Sequence, residues 1–291
     1  MQAYQSVLAG AEELVLFETG SLINHNECIE PFLQRRGALR ALSAILKNKT
    51  RLGMHAYKPP HSDGSDADGA ANLYIFDYIA TLGLAPLPVA QFPGDAKCLF
   101  LARQAADDPE IAAKLKTGLK QGIKIVVMPD FLQTLNDPSL PKITDRDALP
   151  IFSKMEAGGG RLLILNLQTF RHEEFAPDKE MFLPPRPLPV RDWPAEEVNQ
   201  IRNEVLSSWN VEIRGPNNIG VYLFDDLIVL ANFNGVEAPC ELKSDQDKGA
   251  SFQLNPSFPH AAGTTCSSGD GAGRITLAAW ELAVIDWNRG N

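Results

Sequence analysis

Asn72-Leu-Tyr-Ile-Phe-Asp-Tyr-Ile-Ala-Thr-Leu-Gly83 opens a stretch, residues 72–131, whose reading decides the fold. Leu73, Phe76, Ile79, Ala80 and Leu82 fall near one face at helical spacing, and Gly83 stands where that helix ends. Ala85 to Val89 is a short extended run containing two prolines. Cys98-Leu-Phe-Leu-Ala102 reads as an apolar strand. Asp107-Asp-Pro-Glu110 then carries the acids and the proline that favour a first helical turn, and Ile111, Leu115 and Leu119 continue that helix to Gly122. Ile123-Lys-Ile-Val-Val-Met128 is nearly all apolar and β-branched, as a strand covered on both faces must be. Strands alternating with helices over short connections predict an α/β layer structure on a parallel sheet, flavodoxin-like, with helices on both faces.

Working outward, residues 3–17 read as a helix running into an apolar end, Leu14-Val-Leu-Phe17, and Pro31 to Lys47 as an amphipathic helix. Leu52-Gly-Met-His-Ala-Tyr57 reads as one strand. Toward the C-terminus, Lys142 to Glu156 is read as a single helix, and Arg161 to Leu167 as a buried strand. The triple glycine 158–160 precedes that strand and no Lys-Ser/Thr follows it, so it reads as a turn and not as a phosphate loop. Six prolines within 176–194 mark a connector. Ala195 to Trp209 is a helix. Beyond it come short strands near 211–214, 219–224, 227–233, 240–242, 251–254, 274–277 and 281–287, punctuated by turns such as Asn234-Gly235. These predict a small antiparallel β-sandwich over 210–291. The expected division is therefore a lead-in over 1–50, an α/β domain over 51–209, and the sandwich.

The chain has 291 residues, 44% hydrophobic and 22% charged, ordinary for a globular protein. Its formal net charge of −9, with no Lys/Arg run, argues against nucleic acid and against an anionic membrane surface. No stretch is apolar enough to span a bilayer, and the N-terminus lacks the positive start of a signal peptide. Cys28, Cys98, Cys240 and Cys266 lie far apart with no CxxC, which reads as isolated reduced thiols in a cytoplasmic protein. No metal and no cofactor are expected.

The order Tyr74-Ile-Phe-Asp-Tyr-Ile-Ala-Thr-Leu-Gly-Leu-Ala-Pro-Leu-Pro-Val89, Phe92-Pro93, the apolar run 99–101, Gly122-Ile-Lys-Ile-Val-Val127 and Phe131-Leu132 resembles a class I glutamine-amidotransferase-like domain. That domain occurs in some glycoside hydrolases, best known as the trimerisation domain of bacterial β-galactosidases. Leu227-Ile-Val-Leu-Ala-Asn-Phe-Asn234, Ile275-Thr-Leu277 and Trp280-Glu-Leu-Ala-Val-Ile285 resemble the β-sandwich that closes many such enzymes. Residues 3–25, with Gly10-Ala-Glu-Glu-Leu-Val-Leu-Phe17, resemble the last helix and strand of their catalytic barrel. The resemblance implies a non-catalytic accessory or oligomerisation region of a carbohydrate-active protein. It further implies a homo-oligomer and a carbohydrate as candidate partner, without the barrel's catalytic carboxylates.

Two alternatives stay open. The first is an amidotransferase-like cysteine hydrolase using Cys98 with His172 and Glu173 or Glu174. Such chemistry needs the sulfur on a tight strand-to-helix turn beside backbone N–H donors. Cys98 instead begins an apolar strand with no flanking glycine, which favours a core thiol. The second alternative is a small-molecule sensor. The polar loop 58–69 follows a strand, where open α/β sheets bind ligands. It nominates His55, Tyr57, Lys58, Asp63 and, from the following helix, Asp77. The plainer readings are a solvated loop and, for Asp77, a helix-surface acid; the loop's alternating aspartates lack the twelfth-position glutamate of an EF-hand. Glu18, after the first apolar run, is a weak catalytic candidate because it has no partner carboxylate at a defined separation. Trp280 and Trp287 are expected to pack the sandwich core.

Overall fold

The computed structural model describes residues 2–12, 26–60, 62, 79–80, 82–144, 149–157, 160–166, 193–244, 250–269 and 271–288. The chain divides into two units, one of Gly53–Ile213 and one of Met1–Leu52 with Arg214–Asn291.

The Gly53–Ile213 unit is built on a six-stranded sheet of β2 (His55–Tyr57), β3 (Leu87–Val89), β4 (Cys98–Leu101), β5 (Lys124–Val127), β6 (Phe152–Ala157) and β7 (Gly160–Leu165), in the order β3-β2-β4-β5-β7-β6. The strands from β3 to β7 run parallel, and β6 pairs antiparallel at the edge. Leu99, Leu101, Ile125, Val127, Leu162 and Ile164 form one face. They pack on Ile111, Leu115 and Leu119 of helix α3 (Ile111–Lys120) and on Phe131 of α4 (Pro129–Leu135). Each such side chain taken from water contributes about 1.5–3 kcal/mol. The opposite face carries Cys98 and Lys124. Lys124 donates to the Glu204 carbonyl and to Ser207 Oγ at the end of α5 (Ala195–Leu206). Cover on both sides is why β4, β5 and β7 are almost uniformly apolar.

Three expectations change here. The acids at 107–110 do not open the helix: a 3-10 turn spans Arg103–Asp107, and α3 begins only at Ile111. The segment read as a helix to Glu156 ends in strand β6, because Lys, Met, Glu and Ala suit a helix in isolation but are here paired across a hairpin to β7. The hairpin needs Gly160, where a Cβ would fall 2.7 Å from the Leu119 carbonyl oxygen. Finally, Leu52–Tyr57 is not one strand. β1 (Arg51–Leu52) pairs antiparallel with β9 (Ile219–Phe224) in the other unit's sheet, and β2 starts at His55.

The second unit has two antiparallel sheets. One takes β1, β9 (Ile219–Phe224), β10 (Leu227–Asn232), β15 (Leu282–Asn288) and β12 (Ser251–Leu254), in the order β1-β9-β10-β15-β12. The other takes β13 (Thr265–Gly269), β14 (Ala272–Leu277) and β11 (Ala238–Ser244). Phe252 of β12 lies on Gly273 of β14, where a Cβ would come 2.8 Å from the Phe252 Cβ. Every residue of β9 and β10 is buried. Helices α1 (Gln2–Leu8) and α2 (Asn26–Leu46) belong to this unit and bond to it. Gln5 hydrogen bonds Tyr222 of β9, and Arg35 Nη2 pairs with Glu281 Oε1 at 2.8 Å. Strand β13 has no sequence expectation: Thr265-Cys-Ser-Ser-Gly269 is a mostly exposed polar strand with no apolar alternation to reveal it. Trp287 is buried as expected, but Trp280 is 47% exposed. It lies outside the core because it sits in the turn before β15, with its backbone in the left-handed region.

Two half-buried histidines set a pH response. In the first unit, burial pushes the His55 imidazole below its ordinary range despite Asp95 nearby. In the second, burial does the same to His260, which packs edge-on to Phe258 and whose Nε2 lies 3.2 Å from both Val284 N and Val284 O. Unfolded, each binds a proton below about pH 6.5; folded, each resists it. The unfolded state therefore holds more protons in this window, and stability falls as pH drops below about 6.5 toward the folded pKa. Denaturant midpoints measured from pH 7.5 down to 5 are expected to fall, and His260→Gln is expected to flatten the curve; equal slopes for both proteins would refute the assignment.

Candidate functional site

In a parallel sheet the carboxyl ends of the strands form the ligand crevice. Here that edge is the exit of β2 at Tyr57, of β4 toward Gln104, of β5 toward Asp130, and of β7 toward Asn166. Its best-defined feature is a buried polar latch. Tyr57, 4% exposed, donates its hydroxyl to Asp108 Oδ2 at 2.7 Å. Lys114 Nζ reaches the same oxygen at 2.8 Å, and Asp108 Oδ1 accepts the Glu110 N–H at 2.9 Å. Burial alone would push the Asp108 carboxyl up; Lys114, the Glu110 N–H and the Tyr57 hydroxyl outweigh it and hold the carboxyl below its ordinary range. Burial and the bond to Asp108 push the Tyr57 phenol up to about 12. The Tyr57 ring stands edge-on to Phe92, with centroids 5.4 Å apart. Asn166 closes the far end of the crevice by donating from Nδ2 to the Leu149 carbonyl at 3.1 Å and from its backbone to that of Ile151.

The latch ties β2 to the start of α3. A neutral phenol committed to a carboxylate is not a base, and the Tyr57 hydroxyl already has its acceptor, so this geometry is a brace. Asp108 and Lys114 escaped the sequence reading because Asp108 looked like a first-turn acid. The available signal was Asp108-Pro-Glu110, an aspartate whose side chain accepts the N–H two residues on.

Cys98 lies at the other end of the sheet, on the amino edge of β4, with no exposure. Burial pushes its thiol up to about 12 although Lys124 is close enough to oppose the shift. A thiol so protonated and so enclosed is no nucleophile at neutral pH. His55 also lies at the amino end of its strand and not at the crevice. Lys58 is exposed just past β2, its N–H bonded to the Val89 carbonyl. Glu18, Asp63, Asp77, His172, Glu173 and Glu174 lie outside the described residues, so Lys58 and Tyr57 are the nominated crevice residues that the structure places.

No family model matches this sequence, and no curated protein matches it. Solved structures align with much of its length. A catalytic mutant of Gan42B, a GH42 β-galactosidase from G. stearothermophilus, aligns at a TM-score of 0.46 and 9% identity over 89% of this chain. A β-galactosidase from Bacillus circulans sp. alkalophilus aligns at 0.45 and 10% over 86%, and α-L-fucosidase isoenzyme 2 from Paenibacillus thiaminolyticus at 0.43 and 11% over 86%. The chain spans 44% of the length of each galactosidase and 51% of the fucosidase.

Elsewhere, a surface pocket of about 410 Å³ is lined by Asp225, Asp226, Asp286, Trp287 and Asn288. Its carboxylates are engaged within the fold: Asp226 with Lys49 at 2.6 Å, Asp225 with the Thr50 N–H, and Asp286 with Asn255 Nδ2. Among the described residues no three His, Cys, Asp or Glu side chains converge as metal ligands would, and no helix is long and apolar enough to cross a membrane.

Proposed function

We propose that this chain is a non-catalytic accessory region of a carbohydrate-active, glycoside-hydrolase-like protein, with a flavodoxin-like scaffold that serves assembly into a homo-oligomer. The parallel strands β3-β2-β4-β5-β7 follow the order 2-1-3-4-5 typical of that scaffold. The observation that carries the reading is the placement of Cys98. The sequence resemblance is to domains derived from amidotransferases, whose chemistry needs a cysteine exposed on a tight strand-to-helix turn. This chain's cysteine on the parallel sheet is sealed at the opposite edge, and the crevice is braced by Tyr57, Asp108 and Lys114.

The test is native-state alkylation with iodoacetamide, read by peptide mass, together with light scattering. Cys98 is expected to stay unlabelled until denaturant is added, and the scattering mass to be a multiple of 31.8 kDa. Rapid labelling of native Cys98 would restore the cysteine-hydrolase reading, and a monomer at all concentrations would remove the assembly role.

A further inference from the structure

Strand β12 ends where its sequence stops it. Asn255-Pro-Ser-Phe-Pro-His260 follows Leu254, and neither proline has an N–H to give to a ladder. Asn255 makes the last ladder bond, from its N–H to the Val284 carbonyl of β15 at 2.8 Å. Its own carbonyl accepts the Phe258 N–H at 3.2 Å, within the turn. The Val284 N–H is met by a side chain instead: Val284 is fully buried, and it donates to His260 Nε2 at 3.2 Å. The same nitrogen lies 3.2 Å from the Val284 carbonyl oxygen. An imidazole thus stands where a partner strand's backbone would. The two contacts demand opposite states of one nitrogen. A bare Nε2 accepts from the N–H; a protonated Nε2 donates to the carbonyl and accepts nothing. The carbonyl already has the Asn255 N–H, whereas a buried backbone N–H left without an acceptor is costly, so the neutral ring is the one that fits.

We propose that His260 is a pH-operated clasp, which when neutral holds the 255–264 loop on the edge of β15 and when protonated releases it. Protonation takes the acceptor from the Val284 N–H and puts a cation beside the buried Phe258 ring, 5.0 Å away between centroids. Burial disfavours the charged ring and outweighs the Val284 and Phe258 backbones and Asp286, which favour it. Among the described residues Asp286 of β15 is the charged side chain that acts on the ring, and its carboxylate is already bonded by Asn255 Nδ2 at 2.6 Å. The Glu237 carboxylate lies by Gly263, at the other end of the loop. That end is fastened separately, because Thr264 Oγ1 accepts the Ala278 N–H at 3.4 Å and does not titrate. Release is therefore confined to the half of the loop that carries His260, and Phe258 is the apolar side chain it uncovers. A loss of global stability lowers the protection of every core amide together; a clasp frees one edge first. The clasp does not depend on the assembly role.

The test is amide hydrogen exchange of the whole chain, followed by NMR between about pH 7.5 and pH 5 with intrinsic exchange rates divided out. Val284 is expected to lose protection roughly fivefold or more across that range. It is also expected to exchange faster than Ile285, which pairs with Ile228 in the β10–β15 ladder, and Ala278 is expected to keep pace with Ile285. In His260→Gln the Val284 protection is expected to stay flat, because an amide oxygen accepts the N–H at every pH. The ring nitrogen shifts of the unaltered chain need no variant: at pH 7.5, Nε2 is expected bare and Nδ1 protonated. A proton on Nε2 at that pH overturns the proposal, since the ring would then already be donating to the carbonyl. So does Val284 protection that falls only in step with Ile285, or that falls as steeply in a folded His260→Gln. Should His260→Gln not fold, the ring shifts and the comparison of Val284 with Ile285 decide alone.

Discussion

Asp108→Ala is expected to destabilise the Gly53–Ile213 unit by about 3 kcal/mol, a fall of roughly 6–12 °C in its melting temperature. The change removes the acceptor of the Tyr57 hydroxyl and leaves that hydroxyl buried without its partner. It also removes the charge-assisted bond from Lys114 and the bond from the Glu110 N–H that fixes the approach to α3. Lys114 is a third exposed, so its share is discounted for solvent screening, and most of the loss comes from the orphaned phenol and the freed turn. Tyr57→Phe removes one hydroxyl but leaves Asp108 its other donors, so about 1 kcal/mol is expected. The double variant should lose less than the sum, because both changes break the same bond. Guanidinium unfolding followed by circular dichroism measures all three. A loss below about 1 kcal/mol for Asp108→Ala would show that these bonds add little to the stability of the unit.

Gly160→Ala is the second large effect. The new methyl would stand 2.7 Å from the Leu119 carbonyl oxygen and 3.2 Å from the carbonyl carbon. Both are backbone atoms at the end of α3, and the helix cannot yield without lifting Leu115 and Leu119 off the sheet. A loss of about 3 kcal/mol or more is expected, or failure to fold. Gly118→Ala is the control, on α3 next to Leu119. Its methyl meets the side-chain tips of Ile123 at 3.3 Å and Ile125 at 3.5 Å, and alanine is the better helix former by up to about 1 kcal/mol, so stability is expected to hold or rise slightly. If Gly160→Ala proves as stable as the parent, the close approach of β7 to α3 is wrong.

Much of the strand–helix alternation was legible because its cause is local and repetitive. The apolar runs at 98–101, 124–127 and 160–165 are strands covered on both faces, and Ile111, Leu115 and Leu119 recur at the spacing of a helix face. The antiparallel strands at 219–224, 227–232 and 282–288 were legible for the same reason. Strand β6 was not, since its residues favour a helix until β7 is beside them. Strand β13 was not, since an exposed edge strand needs no apolar pattern. The site was less legible still. Cys98 could be read as a core thiol from its apolar run, but the bonding of Asp108 to Tyr57, 51 residues away, leaves no trace in spacing.

By itself the sequence determined that this chain builds a parallel α/β sheet and then antiparallel strands, and that its sulfur on the parallel sheet is packed away. Hydrophobic periodicity and turn residues encode those outcomes within a few residues of where they act. Only the tertiary structure decided that Gln5 bonds Tyr222 and Arg35 pairs with Glu281, that Leu52 and His55 serve different sheets, and that Trp280 stands half-exposed on a left-handed turn. Each of these depends on which distant backbone lies alongside, and pairing between remote segments is fixed by the packing of the whole chain, which no local pattern records.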